Sequence, residues 1–230
     1  MLRAIVFDFD GIIVDAEPIH LKAFQEVLGQ NGIFLSKEEY YERYLALDDR
    51  TLFSNILRER NANSSASTIE DLMQRKSQSY EKLIQEGIKI FPGVIDFVDL
   101  AHRKYLLGIG SGALKHEIEF ILNYVGIRDR FCVIVSAEDV QKCKPDPEVF
   151  LKALLKMNNM LPSSSNPILP SECLVIEDSS AGIRAATVAG MRTLAITNSY
   201  TGHKLSEATL IADSLLEVKL GDLEELFRTT

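Results

Sequence analysis

The stretch Ala4-Ile5-Val6-Phe7-Asp8-Phe9-Asp10-Gly11 constrains this chain more than any other. A short apolar run without polar alternation reads as a strand covered on both faces, the kind found in parallel sheets. The run stops at two carboxylates two residues apart, followed by a glycine. In a parallel α/β sheet, ligands bind outside the carboxyl ends of the strands, which is where Asp8 and Asp10 fall. Carboxylates that close repel unless a cation or a proton lies between them. Hard oxygen donors beside an open cleft suit Mg²⁺ bound together with a substrate phosphate. Gly11 permits a sharp turn and a close approach to a ligand.

The rest of the chain alternates. Strands are predicted over Tyr105–Gly110, Phe131–Val135, Cys173–Ile176 and Thr193–Ile196, with a shorter one over Ala208–Asp213. Helices are predicted over Leu114–Tyr124, Pro147–Met157, Ser180–Ala189 and Asp222–Phe227. Such alternation argues for βαβ units and a parallel sheet. Between Asp15 and about Ile90 no convincing strand is found. Ile19, Ala23, Phe24, Val27 and Leu28 recur at helical spacing, and Lys37–Leu47 and Asp49–Arg60 read as further helices. After a polar loop, Ser67 or Thr68 is expected to cap a long helix reaching about Glu86. The expected fold is therefore α/β: a Rossmann-like parallel sheet core (residues 1–14 and 91–230) with an inserted all-helical domain (residues 15–90).

Composition narrows the function. The net charge of −8 comes without a basic stripe, so nucleic acid is not an expected partner. The three cysteines include no CxxC pair, which argues against a disulfide framework and a zinc site. No apolar run approaches the ~18 residues of a membrane span, and no signal-peptide pattern is present. A cytoplasmic protein, monomeric or weakly dimeric, is expected.

Four polar signals fall at predicted strand ends: Asp8 and Asp10, Ser111-Gly112, Lys144, and Glu177-Asp178. All carboxyl ends of a parallel sheet share one edge, so the four can converge on one crevice. Together they fit phosphoryl transfer. Asp8 can attack phosphorus as a carboxylate nucleophile, and Asp10 can serve as general acid and then base. Ser111 and the Gly112 amide can donate to phosphate oxygens, helped by the following helix N-terminus. Lys144 can balance the charge of Asp8 and the phosphate. Asp178, with Glu177 nearby, can complete an Mg²⁺ site.

In these motifs the chain resembles the haloacid dehalogenase superfamily. Asp8-Phe9-Asp10-Gly11, Ser111, Lys144-Pro145-Asp146-Pro147-Glu148 and Glu177-Asp178-Ser179-Ser180-Ala181-Gly182 look like its four motifs, in order. The resemblance implies a Rossmann-like core with a helical cap, Asp8 as nucleophile and Asp10 as acid/base. It also implies Mg²⁺ held by the Asp8 side chain, the Asp10 backbone carbonyl and Asp178. Within the superfamily, Asp15-Ala16-Glu17-Pro18-Ile19-His20 is similar to a segment of the β-phosphoglucomutase-like branch, which includes many phosphatases. Arg75-Lys76 and Ser79-Tyr80 resemble a cap stretch whose lysine faces substrate. His20 and Lys76 are thereby candidate substrate contacts.

Two departures matter. Where the mutase has a cap glycine and a phosphate-binding arginine, this chain has Ala46 and Asp49 in ungapped comparison. Arg50 is adjacent and is the candidate substitute for that arginine as a substrate contact, although a one-residue shift turns a side chain by about 100° around a helix. An acid at position 49 opposes a second phosphate. The expected function is thus a Mg²⁺-dependent phosphatase of a small phosphorylated metabolite such as a sugar phosphate. A β-phosphoglucomutase-type isomerase is the alternative, ahead of a 2-haloacid dehalogenase or a non-catalytic binding protein.

Overall fold

The structure, a computed structural model, describes residues 1–45 and 47–228; Ala46, one of the two departures above, lies outside the described residues. The chain forms two compact units, Met1–Asp15 with Ile90–Thr230, and Ala16–Lys89.

The first unit begins with β1 (Ala4–Phe7), whose residues have no exposure. A tight loop then leads to β2 (Val14–Asp15): the Gly11 amide donates to the Val14 carbonyl at 2.9 Å, and Asp10 bridges to Val14. The second unit follows, built from α1 (Glu17–Gly29), α2 (Lys37–Arg43), α3 (Asp49–Glu59) and α4 (Ala66–Glu86). The chain returns through β3 (Lys89–Ile90), which forms a two-stranded sheet with β2. It continues through α5 (Val94–Ala101), β4 (Leu106–Gly110), α6 (Lys115–Tyr124), β5 (Val133–Val135) and α7 (Glu148–Asn159). It closes with β6 (Cys173–Glu177), α8 (Ser180–Val188), β7 (Arg192–Ile196), β8 (Leu210–Ala212) and α9 (Leu220–Leu226).

The main sheet has six strands in the order β5-β4-β1-β6-β7-β8, and every adjacent pair is parallel. Both faces of β1 are covered, which explains its unbroken apolar run. On one face Val6 and Val175 pack with Phe150, Ala153 and Ala186 of α7 and α8. On the other, Phe7 meets Phe97 and Phe131 edge to face, with ring centroids 6.1 and 5.6 Å away. Truncating a residue packed like Phe7 costs about 3–5 kcal/mol.

The helical unit has its own core, in which Phe24, Leu28, Tyr40, Phe53, Ile56 and Leu72 are buried. Side chains cap three of its helices. Ser36 accepts from the Glu39 amide and Asp48 from the Thr51 amide, both at 3.0 Å, and Ser65 accepts from the Thr68 amide at 3.3 Å. Such caps satisfy amides that have no partner within the helix. The cap of α4 is therefore Ser65, not Ser67 or Thr68, and the helix starts earlier than its polar sequence suggests. The helix expected over Lys37–Leu47 ends at Arg43, because Tyr44 turns inward and its hydroxyl donates to Glu59 at 2.9 Å.

Candidate active site

Strand register decides which loops meet. Phe7 pairs with Ile109 on one side and Ile176 on the other, so the residues that follow, Asp8, Gly110 and Glu177, stand at the same level of the sheet. Ladder bonds carry on past the strand ends: the Asp8 amide donates to Ile176 at 2.9 Å and the Ser111 amide to Val135 at 3.0 Å.

Lys144, carried by the loop before α7, reaches this edge. Its Nζ lies 2.9 Å from Asp8 Oδ1 and 2.8 Å from Glu177 Oε1, and its side chain is 14% exposed. It is a largely buried partner of both carboxylates. The contact with Asp8 is an ion pair, and Asp8 Oδ1 has no hydrogen-bond partner among the described residues. Glu177, by contrast, is saturated. Its Oε1 accepts from Lys144, and its Oε2 accepts from the Asp178 amide (2.8 Å), the Ser179 amide (2.7 Å) and the Ser179 hydroxyl (2.8 Å). Gly182 in α8 leaves the room: a Cβ there would come 1.7 Å from Glu177 Oε1.

The ionisation of these groups follows from burial and charge. Burial pushes Asp8 up most, Lys144 opposes it, and Glu177 adds to it. Asp178 is pushed up by burial and then by Asp8 and Glu177. Burial also works against ionised Glu177, but Lys144 and the donors around it prevail and hold it below its usual range. Burial disfavours charged Lys144 as well, yet Asp8 and then Glu177 outweigh it and keep the ammonium charged.

Ligating oxygens of Asp8, Glu177 and Asp178 lie within 4.8 Å of one another. Three buried carboxylates against one ammonium leave a formal charge of −2, and a divalent cation balances it. The donor set is oxygen only, which suits a hard cation. Glu177 has both oxygens committed, so Asp8 and Asp178 are the carboxylates with capacity left for an ion. Asp10, half-buried, follows in the same loop.

Ser111 is buried, and its Oγ accepts from the Ala113 amide at 3.1 Å. It does not cap α6, whose N-cap is Leu114. The helix begins at Lys115, one residue past the predicted start at Leu114. Ser111, Gly112 and Lys144 line a cavity of about 130 Å³ together with Val140 and Val149.

Two polar residues of this edge escape the sequence reading. The Asn198 amide donates to the Gly11 carbonyl at 2.7 Å, and the Ser199 hydroxyl lies against the same turn, beside the Asp178 carboxylate. Thr197-Asn198-Ser199 follows β7 directly, so its signal is the one used for the other loops: polar residues just past a buried strand.

In the helical unit, His20 and Lys76 come together. Lys76 is 1% exposed, with its Nζ 2.9 Å from His20 Nδ1 and 3.0 Å from Asp49 Oδ2. The ammonium also stands 5.0 Å from the ring centroids of Phe24 and Tyr80. Arg50 does not join them; it is exposed and lies 3.7 Å from Glu70.

A sequence model described as haloacid dehalogenase-like hydrolase matches residues 5–196. Protein CbbY of Rhodobacter capsulatus is 30% identical over 207 residues, covering 87% of each chain. The fructose-1-phosphate phosphatase YqaB of Escherichia coli is 28% identical, covering 81% of this chain and 92% of its own. Among solved structures, the β-phosphoglucomutase of Clostridium difficile superposes with a TM-score of 0.79 at 27% identity, covering 99% of this chain and 98% of that one.

Proposed function

The chain belongs to the haloacid dehalogenase-like hydrolases, on the β-phosphoglucomutase-like branch, and we propose that it is a Mg²⁺-dependent phosphatase of small phosphorylated sugars. The observation that carries this reading is the cluster at the carboxyl edge of the sheet: Asp8 with an unbonded oxygen, Lys144 against it, and Asp178 beside it. The substrate class draws support from relatives named as phosphatases of fructose 1-phosphate and of phosphorylated carbohydrates.

Asp8 supplies the nucleophilic oxygen. Lys144 opposes the protonation of that carboxylate that burial favours, and draws the phosphate towards it. As the bond from Asp8 to phosphorus forms, the bond to the sugar oxygen breaks, and Asp10 gives that oxygen its proton. Asp10 then takes a proton from water, whose oxygen displaces Asp8 and releases phosphate. Ser111 and the Gly112 amide donate to the non-reacting phosphate oxygens. Glu177 acts through Lys144, which it fixes in place while its other oxygen braces the start of α8. Asp8, Asp178 and the Asp10 carbonyl would hold Mg²⁺, which supplies charge neutralisation for the phosphoryl group.

A mutase would bind a second phosphate. Asp49 stands where that branch's arginine is expected, and its carboxylate is paired with Lys76. This pairing leaves no net positive charge at those two residues and favours hydrolysis.

The test is phosphate release and isomer conversion across hexose and pentose phosphates, with and without Mg²⁺, using Asp8→Asn as control. Mg²⁺-dependent release lost in the variant is expected. Conversion of a hexose 1-phosphate to its 6-phosphate without release would establish the mutase instead, and full activity of Asp8→Asn would remove the nucleophile assignment.

A further inference from the structure

The loop after β7 is tied to the site from three directions. Thr197 anchors its start: the amide donates to Ala212 at 3.1 Å and the hydroxyl to Asp213 Oδ1 at 2.8 Å. Asn198 then donates to the Gly11 carbonyl at 2.7 Å, and the Ser199 hydroxyl stands beside the Asp178 carboxylate. The three loops interlock closely. Gly11 has φ +79°, and a Cβ on it would fall 1.8 Å from Asp178 Oδ2 and 2.9 Å from Ser199 Oγ. Gly11 directly follows Asp10, and its amide closes the turn that presents Asp8 and Asp10.

We propose that Asn198 and Ser199 are positioning residues for the cation site, Asn198 by clamping the Gly11 turn and Ser199 by orienting the Asp178 carboxylate. The inference rests on the Mg²⁺ reading given above. Its physical basis is that a ligating carboxylate rotates freely unless a second donor fixes it. Removing such partners typically weakens metal binding by about 10–100-fold. Ser199 touches neither Asp8 nor Lys144 through any hydrogen bond or ion pair described, so it acts on the chemistry through Asp178 and the Gly11 turn beside it.

The test is calorimetric titration of Mg²⁺ into the wild type, Ser199→Ala, Ser199→Thr, Asn198→Ala and Asp178→Asn, with the melting temperature of each metal-free protein beside it. The wild type is expected to bind and Asp178→Asn to show no binding. Ser199→Ala should bind about tenfold more weakly at an unchanged metal-free melting temperature, and Ser199→Thr, which keeps the hydroxyl, should restore affinity. Asn198→Ala should weaken binding as well. In turnover, Ser199→Ala should need more Mg²⁺ for half-maximal rate while reaching the wild-type kcat at saturation. If the wild type binds, Asp178→Asn does not, and Ser199→Ala and Asn198→Ala bind like the wild type, the proposal fails while the metal site stands. If the wild type itself does not bind, the Mg²⁺ reading fails, and the proposal fails with it.

Discussion

Lys76 and Asp49 form an ion pair at 3.0 Å inside the helical unit, with the lysine almost wholly buried and the carboxylate about a quarter exposed. Removing one partner of such a pair strands the other charge, which costs most where the stranded group is buried and less where water reaches it. Asp49→Ala should therefore destabilise the protein by about 1–3 kcal/mol, below the cost of a fully buried pair because water reaches Asp49. Lys76→Met, filling the space between Phe24 and Tyr80, should cost less. Urea unfolding of both variants decides it, and the reverse order would show that the lysine's charge is itself stabilising.

His20 accompanies that pair, stacked on Tyr80 at 4.3 Å. Burial first, and then the Lys76 ammonium, hold its imidazole well below 6.5. The folded state thus keeps His20 neutral where the unfolded chain protonates it. Its contribution to stability is complete above about pH 6.5 and is lost as pH falls below that value, by up to about 1.4 kcal/mol per pH unit. Unfolding free energies of the wild type and His20→Gln between pH 5 and 7.5 should diverge in slope below pH 6.5. Parallel slopes would mean that His20 titrates alike in both states.

The proposed catalytic edge was readable in the sequence because each of its motifs follows a buried strand, and parallel topology alone brings strand ends to one edge. Asn198 and Ser199 obey the same rule, but a Thr-Asn-Ser run is also ordinary turn chemistry, and only the Gly11 and Asp178 contacts distinguish it. Lys76 shows a different limit. It falls on the helical stripe of Ile69, Leu72, Tyr80 and Leu83, all buried in α4, so its burial was there to be seen. Its partner Asp49 lies 27 positions away on another helix, and that pairing belongs to tertiary packing. The two-residue strands β2 and β3 are too short for any periodicity to show.

Gly182 and Gly221 offer a paired test. Glycine within a helix normally costs about 0.5–1 kcal/mol relative to alanine. At Gly221, in α9, a Cβ would meet nothing within 4 Å, so Gly221→Ala should be neutral or stabilising by that amount. At Gly182 the Cβ would collide with Glu177, so Gly182→Ala should destabilise by about 1–3 kcal/mol despite the better helix former. Because Glu177 holds Lys144, kcat should fall with it. Melting curves and turnover of the two variants separate these effects, and a Gly182→Ala protein of full stability and activity would show that Glu177 does not need its present position.

Asp8 and Asp178 would connect the proposed cation to pH. Both are raised above the ordinary carboxylate range, chiefly by burial, and Asp178 next by the charge of Asp8. A carboxyl whose folded pKa is raised holds its proton in the folded state when the unfolded chain has released it. Stability from these groups is therefore fully present below about pH 4 and declines as pH rises through the folded values, about 7 and about 8. Protons and a divalent cation compete for the same oxygens, so Mg²⁺ should stabilise the protein little at pH 5.5 and much more at pH 8. At a hundredfold excess over its dissociation constant the gain is about 2.7 kcal/mol. Asp178→Asn removes one of the opposed charges, so it should raise the metal-free melting temperature at pH 8 and abolish the Mg²⁺ gain. Thermal melts at both pH values, with and without Mg²⁺, check each part. An equal gain at pH 5.5 and 8, or one that survives in Asp178→Asn, would place the ion on other ligands.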